Sequence, residues 1–486
     1  HQRLTGSQIR SHLLTVPGVR PRLLAGDTGT LTALAGTVDR FVRRVRRDKP
    51  AFGMAARPHV EQLYERLVAE DGPQAVVCEG SAGLGKSAVV TDVLVRLTEQ
   101  GWPAAAVRMD GADASVQTAK DLGTKMTLPD SPAVLLAGVA DEAPALLVID
   151  QLDAVSTYNG RMSDAYEAVE DVLAQLVVAP NVKVLLVART IDIDNDRRLS
   201  DLVADRARTV RFPLSVLDVE QVRGVLSASG TDPDGLGPVT LELLRTPLHL
   251  SVFSRLSSSA RAASYRTLQE LYARYTDERR EEIERQVAAL DWRGITGTLC
   301  ASMSERETLQ APMALLDGFA RQHIKVLESH GVLVRDGEQI GFFHETYFDF
   351  LFARSFISTG EDIHDFLASS GQYLFRRAQT RQILEHLAGT DPGRFRTAVA
   401  RLLGSDRIRP HLHDVIIAVL GQLDAALPDW QAIEPLAWGQ APVAGKIRGL
   451  LALPQWFDAA DHDQRWERWL GTPQTADAAF PELLAV

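Results

Sequence analysis

The chain has 486 residues, 45% of them apolar and 24% charged, enough to bury a sizeable core and to build two to four domains. A formal net charge of −11 argues against broad, nonspecific adhesion to nucleic acid or an acidic membrane surface, so neither is an expected partner. Two cysteines exclude a disulfide framework or a cysteine metal cluster, and no apolar run reaches the roughly 18 residues of a membrane span, so the expectation is a cytoplasmic protein.

In chain order, residues 1–55 carry proline, glycine and a basic cluster, Arg40, Arg43, Arg44, Arg46, Arg47 and Lys49, around Phe41, Val42 and Val45. They read as a linker with one helix whose basic face is solvated. Because His1 is not an initiator methionine, the chain is expected to be part of something longer. From about Arg57, short apolar runs alternate with amphipathic helical stretches: Ala75–Cys78, Ala104–Val107, Ala145–Ile149, Val182–Ala188 and Thr209–Phe212. Strands alternating with helices predict an α/β domain over 56–213, a parallel sheet with helices on both faces.

After Pro213 the strand signal fades, and 214–290 reads as a helical domain. Val332–Arg335 and Gln339–Phe343 flank Asp336 and Gly337, a pair able to take positive φ in a tight turn. Helices followed by a hairpin suggest a winged-helix domain over 291–358. Amphipathic stretches at 382–387, 394–403 and 413–423 suggest a helical repeat-like region over 359–486.

The octapeptide GSAGLGKS, Gly80 to Ser87, carries the chemistry. Gly80, Gly83 and Gly85 let the backbone N–H groups of Ser81, Ala82, Leu84 and their neighbours curl around an anion without a Cβ clash. Lys86 reaches the outer phosphates of a nucleoside triphosphate and the Ser87 hydroxyl ligates Mg2+. An apolar run before the loop and a helical pattern at 88–100 supply the strand and helix that this loop requires. In LLVIDQLD the strand delivers Asp150, a second Mg2+ ligand, and Asp153 follows as a base or water-orienting group. KVLLVART ends at Arg189, placed to sense the γ-phosphate, with Arg197 and Arg198 as rivals for that task. Tyr158, Asn159, Gly160 and Arg161 form a loop with no assigned role.

These motifs, in this order over about 50–355, resemble the STAND class of P-loop ATPases, especially its NACHT-like branch and the bacterial antiviral sensors of the Avs type. LLRTPLHL at 243–250 is similar to the helical-domain motif whose proline approaches the adenine, which here is Pro247. FFHETYFDFLFAR at 342–354 is similar to the winged-helix motif whose histidine meets the β-phosphate of ADP, which here is His344. Arg57 stands where the class carries a glycine-arginine-glutamate motif near the adenine, with Ala56 and Pro58 replacing the flanking residues. Ala154 stands where the class often has glutamate, which implies slow hydrolysis.

The resemblance implies a switch holding ATP or ADP with Mg2+. It implies a homo-oligomer, a tetramer or larger ring, in the active form. It also implies an effector domain upstream of His1, and a protein trigger, such as a phage protein, at the C-terminal helical region, read as the start of a sensor. Two other classes share the loop: an AAA-type remodelling ATPase, which would place glutamate where Gln151 stands, and a transcriptional regulator using the helix at 317–329 on DNA.

Overall fold

The computed structural model describes residues 26–47, 57–111, 115–140, 143–152, 163–204, 209–373, 375–439, 442–461 and 465–471. They divide into two compact units, His1–Arg279 and Arg280–Val486.

The first unit is built on β1 (Ala75–Glu79), β2 (Ala104–Arg108), β3 (Ala145–Asp150), β4 (Val182–Ala188) and β5 (Thr209–Pro213). These pair in the order β2-β3-β4-β1-β5, each neighbour parallel. Alternation along each strand feeds two separate cores. Val77, Leu147, Ile149, Val184 and Leu186 pack on one face with the helices Ala119–Lys125, Pro132–Ala140 and Ser163–Leu176. Val76, Cys78, Leu146, Val148, Leu185 and Val187 pack on the other with Pro58–Val68 and Lys86–Glu99. Strands β1, β3 and β4, buried on both sides, read as near-continuous apolar runs, whereas in the edge strand β5 only Phe212 is buried. Each fully buried valine or leucine contributes about 1.5–3 kcal/mol of transfer free energy, so losing this register would cost the sheet most of its core.

The helix Thr28–Arg47 is more than a linker. Val38, Phe41, Val42 and Val45 are buried in the second of these cores, and Thr37 accepts the Ala106 N–H at 3.1 Å. The expected solvated basic face is therefore only partial: Arg40 donates to the Met126 carbonyl at 2.6 Å and Arg44 pairs with Asp110 at 3.1 Å. After β5 the unit continues in helices, Val219–Ala228, Pro238–Leu244, Pro247–Ser254 and Ser258–Arg261, and in the helix Leu268–Glu284 as far as Arg279.

In the second unit, helices Trp292–Glu305 and Arg321–Ser329 accompany an antiparallel sheet of β6 (Ala311–Pro312), β7 (Leu333–Asp336) and β8 (Gln339–Phe342), ordered β6-β8-β7. The hairpin turns at the expected pair, with Gly337 at φ +61° and Asp336 opposite Gln339. Strand β6 has two residues, too few to leave an alternating pattern in the sequence. Further helices form two layers. Glu345–Thr359 packs on Phe375–Thr390, and that on Pro410–Leu420, while Pro392–Leu403 packs on Leu427–Ala437, and that on Pro454–Ala460.

A candidate phosphate site at the end of the sheet

The strand order decides where the site forms. Strand β4 lies between β1 and β3, so the loop after β1 and the carboxylate ending β3 flank the residue that follows β4. Ala188 pairs with Glu79, which brings Arg189 level with Gly80. Three sequence-predicted groups from three separate segments thus meet at one edge of the sheet.

The loop itself is held in a shape that only glycine tolerates well. Gly83 and Gly85 sit at φ +79° and +77°, in the left-handed region. Gly85 is the N-cap of the helix Lys86–Glu99, so the helix starts with its unpaired N–H groups facing the loop, where an anion is favoured. Lys86 folds back on the loop, donating to the Gly80 and Ser81 carbonyls at 2.8 and 2.9 Å. Those are hydrogen bonds that a phosphate oxygen can replace.

Asp150 is wholly buried. Its Oδ1 accepts the Gln151 N–H at 2.8 Å, while its Oδ2 is buried with no well-aligned hydrogen bond among the described residues. Burial pushes this carboxyl above its ordinary range; the Arg108 charge and the Ser87 hydroxyl pull it back, and Asp110 adds to the rise. A buried carboxylate oxygen left open beside a serine hydroxyl at a helix start is costly in isolation, and it fits a divalent cation. Ser87 and Asp150 are the residues that would hold Mg2+, whose octahedral shell accepts hard oxygen ligands and water.

Arg189 follows β4 directly and occupies the N-cap position of the short helix Thr190–Asn195. Its rivals are placed elsewhere: Arg197 is 94% exposed beside Asp201, and the Arg198 guanidinium lies 5.5 Å from the Tyr166 ring centre. Asp153, the other expected catalytic residue, lies outside the described residues, as do Tyr158, Asn159, Gly160 and Arg161.

Arg57 and Pro247, far apart in sequence, both reach Gly85. A Cβ on Gly85 would lie 3.4 Å from the Arg57 guanidinium and 3.8 Å from the Pro247 ring. Arg57 is buried and donates to the Leu84 and Ser215 carbonyls; burial lowers its pKa, the nearby Cys78 opposing. Pro247 opens a helix, where its missing N–H is harmless, and the next residue bonds the loop: Leu248 N–H donates to the Gly83 carbonyl at 3.1 Å. Here the segment LLRTPLHL rests on the phosphate loop itself.

Sequence reasoning missed two neighbours. Glu79, directly before the loop, is buried and accepts the Arg211 Nε at 2.8 Å, and Arg211 also holds Asp194 at 2.9 Å. His59 shares a 3.2 Å contact with the Ser215 hydroxyl, and burial, then the Arg57 charge, lowers its pKa. Arg57-Pro-His59 adjacency was the available signal for the histidine. Glu79 left none, since an acid at a strand end looks like any exposed turn residue. Cys78, beneath the loop, is pushed up to about 12 by burial, so its thiol is inert.

His344 belongs to the second unit and caps its own helix, Glu345–Thr359: the Thr346 N–H donates to Nδ1 at 3.2 Å. That bond places the ring proton on Nε2.

No protein-family model matches the sequence, and no curated protein matches it. Among solved structures it is similar to a Walker-type ATPase of Pyrococcus abyssi (13% identity, TM-score 0.33, covering 61% of this chain and 96% of that one). It is also similar to the ORC2 protein of Aeropyrum pernix in its ADP form (15%, 0.33, 60% and 91%) and to the ORC1 protein of the same organism in complex with DNA (15%, 0.29, 72% and 98%). Likenesses this distant transfer no activity. The chain's own strand order, left-handed glycine loop, helix-borne Lys86 and Ser87, and strand-end Asp150 define a P-loop NTPase domain.

Proposed function

We propose that the chain is an adenine-nucleotide-dependent switch that binds ATP or ADP with Mg2+ and hydrolyses ATP slowly. The observation that carries this reading is the pairing of a phosphate-shaped loop with the open Oδ2 of Asp150 beside Ser87. When bound, Mg2+ would neutralise charge on the phosphates. Lys86 would leave the Gly80 and Ser81 carbonyls for phosphate oxygens, and Arg189 would meet the charge of a γ-phosphate.

The switch character rests on the contact of the loop with Arg57 and the Thr246–Leu248 turn. Nucleotide entering the loop must work against, or through, a backbone hydrogen bond to the helix Pro247–Ser254. A ligand that binds one arrangement more tightly shifts the population toward it. On the resemblance to the STAND class, the proposal extends to a winged-helix reading of 291–358, with His344 Nε2 as a donor to ADP. It also includes assembly into a homo-oligomer, with a phage protein as trigger and a role in bacterial antiviral defence.

The test is calorimetry on the purified chain with Mg·ADP and Mg·ATP, followed by particle-mass measurement with each nucleotide. Binding of both, with larger assemblies under ATP than ADP, is expected. No heat with either nucleotide, and none copurifying, would overturn the nucleotide reading. Binding without any mass change would remove the oligomeric switch and leave the ATPase.

A further inference from the structure

One carboxylate oxygen collects donors from three separate segments next to the metal position. Asp110 Oδ2 lies 3.1 Å from the Arg44 guanidinium and 3.0 Å from that of Arg108. With the Gln151 amide oriented to satisfy both neighbours, its NH2 donates to the same oxygen at 2.8 Å, and its carbonyl accepts from Arg108 at 2.7 Å. Asp110 and Arg108 side chains are only 12% and 14% exposed, so screening by water is weak.

Gln151 is also conformationally unusual. It holds φ +56°, a left-handed backbone that a non-glycine residue adopts at a cost, and it directly follows Asp150, whose Oδ1 accepts its N–H. Strand register sets Arg108 beside Asp150, and the Arg108 charge is the chief opposing influence on that carboxyl. The residues that shape the turn after the Mg2+ ligand are thus tied to Arg44, on the helix Thr28–Arg47.

We propose that Arg44 is a positioning residue for the metal site. Acting through Asp110 and Gln151, it holds the turn after Asp150 in the left-handed form that aims the open oxygen at Mg2+, so that docking of the helix Thr28–Arg47 sets metal affinity. The inference rests on the nucleotide reading above. It deepens that reading by giving the N-terminal helix a path to the site, by which a segment attached there could tune it.

The test uses the whole chain and compares ADP binding by calorimetry in EDTA and across a Mg2+ titration, for the unaltered chain, Arg44→Ala, Arg44→Lys and Asp110→Asn. Arg44→Ala and Asp110→Asn are expected to raise the Mg2+ concentration for half-maximal tightening by about 5- to 10-fold. Metal-free ADP affinity should stay within about twofold, and Arg44→Lys should recover most of the loss. Mn2+ bound with ADP, followed by electron paramagnetic resonance, should show the same order of affinities. An unchanged Mg2+ requirement in Arg44→Ala would overturn the inference alone. A parallel loss of metal-free affinity and of melting temperature, not restored by lysine, would also overturn it, as the signature of a scaffold contact. Failure of the unaltered chain to bind any nucleotide would instead remove the site on which the inference depends.

Discussion

An acidic cluster in the second unit and a single carboxylate in the first differ in physics. In the second unit, Asp362, His364 and Asp365 lie close enough to suggest a metal site. Each is already engaged: Arg401 pairs with Asp362 at 2.9 Å and with Asp365 at 2.7 Å, Asp362 caps its helix, and His364 Nε2 lies 2.9 Å from the Ser405 hydroxyl. In the first unit, Asp150 is fully buried, and its Oδ2 has no well-aligned hydrogen bond among the described residues. The cluster, whose two carboxylates are exposed, is a helix start held by an arginine. The buried carboxylate has an oxygen that no described donor fills, the arrangement that the proposed Mg2+ would complete.

The comparison breaks if the loop is dispensable. Lys86→Ala should weaken Mg·ATP binding by about 100-fold or more, equivalent to about 2.7 kcal/mol, measured by calorimetry. Asp150→Asn should abolish most of the Mg2+ contribution to nucleotide affinity. In metal-free buffer it should raise stability by about 1 kcal/mol, because a buried carboxylate with an open oxygen is gone; paired calorimetry and denaturant unfolding would show both. A destabilised Asp150→Asn would mean that the open oxygen is satisfied in solution.

A backbone substitution sharpens the same contrast. Gly83→Ala adds a Cβ 3.0 Å from Leu248 at a φ of +79°, whereas Gly230→Ala meets a similar φ of +73° in open space. The first should cost about 2 kcal/mol or more and weaken ADP binding; the second should cost about 1 kcal/mol and leave binding intact. Unfolding curves with and without ADP distinguish them. Smallest of all, Arg401→Ala should cost less than about 1 kcal/mol and change no metal response, since its ion pairs are exposed.

The second unit should show its own pH response. Burial, then the Arg377 and Arg409 charges, holds His411 down to about 4 against an ordinary 6.5. Its unfolded form therefore takes up a proton first, and its contribution to stability is present above about 6.5 and lost as pH falls toward 4. Melting curves at pH 7.5 and 5.5 should separate the chain from His411→Gln, with the variant losing less on acidification.

The sheet was legible because its central strands β1, β3 and β4 are buried on both faces, and predicted bounds fall within one residue of β1 through β5. The loop was legible because phosphate binding demands glycine and lysine at set spacing. What the sequence hid were pairings between segments: Arg57 against Leu84 and Ser215, Glu79 against Arg211, and Arg44 against Asp110. Those bonds span from 27 to 158 positions of chain, and no local period encodes them. The basic run at 40–47 showed the same limit, since a helix wheel marks its buried side but cannot name the acid that Arg44 finds.

The single bond from Leu248 to Gly83 bears on protein engineering. Grafting GSAGLGKS onto a foreign strand and helix would strand that carbonyl, because its donor comes from a segment 165 positions downstream (248 − 83). A transplant that keeps its native geometry must carry Thr246–Leu248 with the octapeptide, and chimeras cut between them should purify with collapsed, ligand-blind cradles.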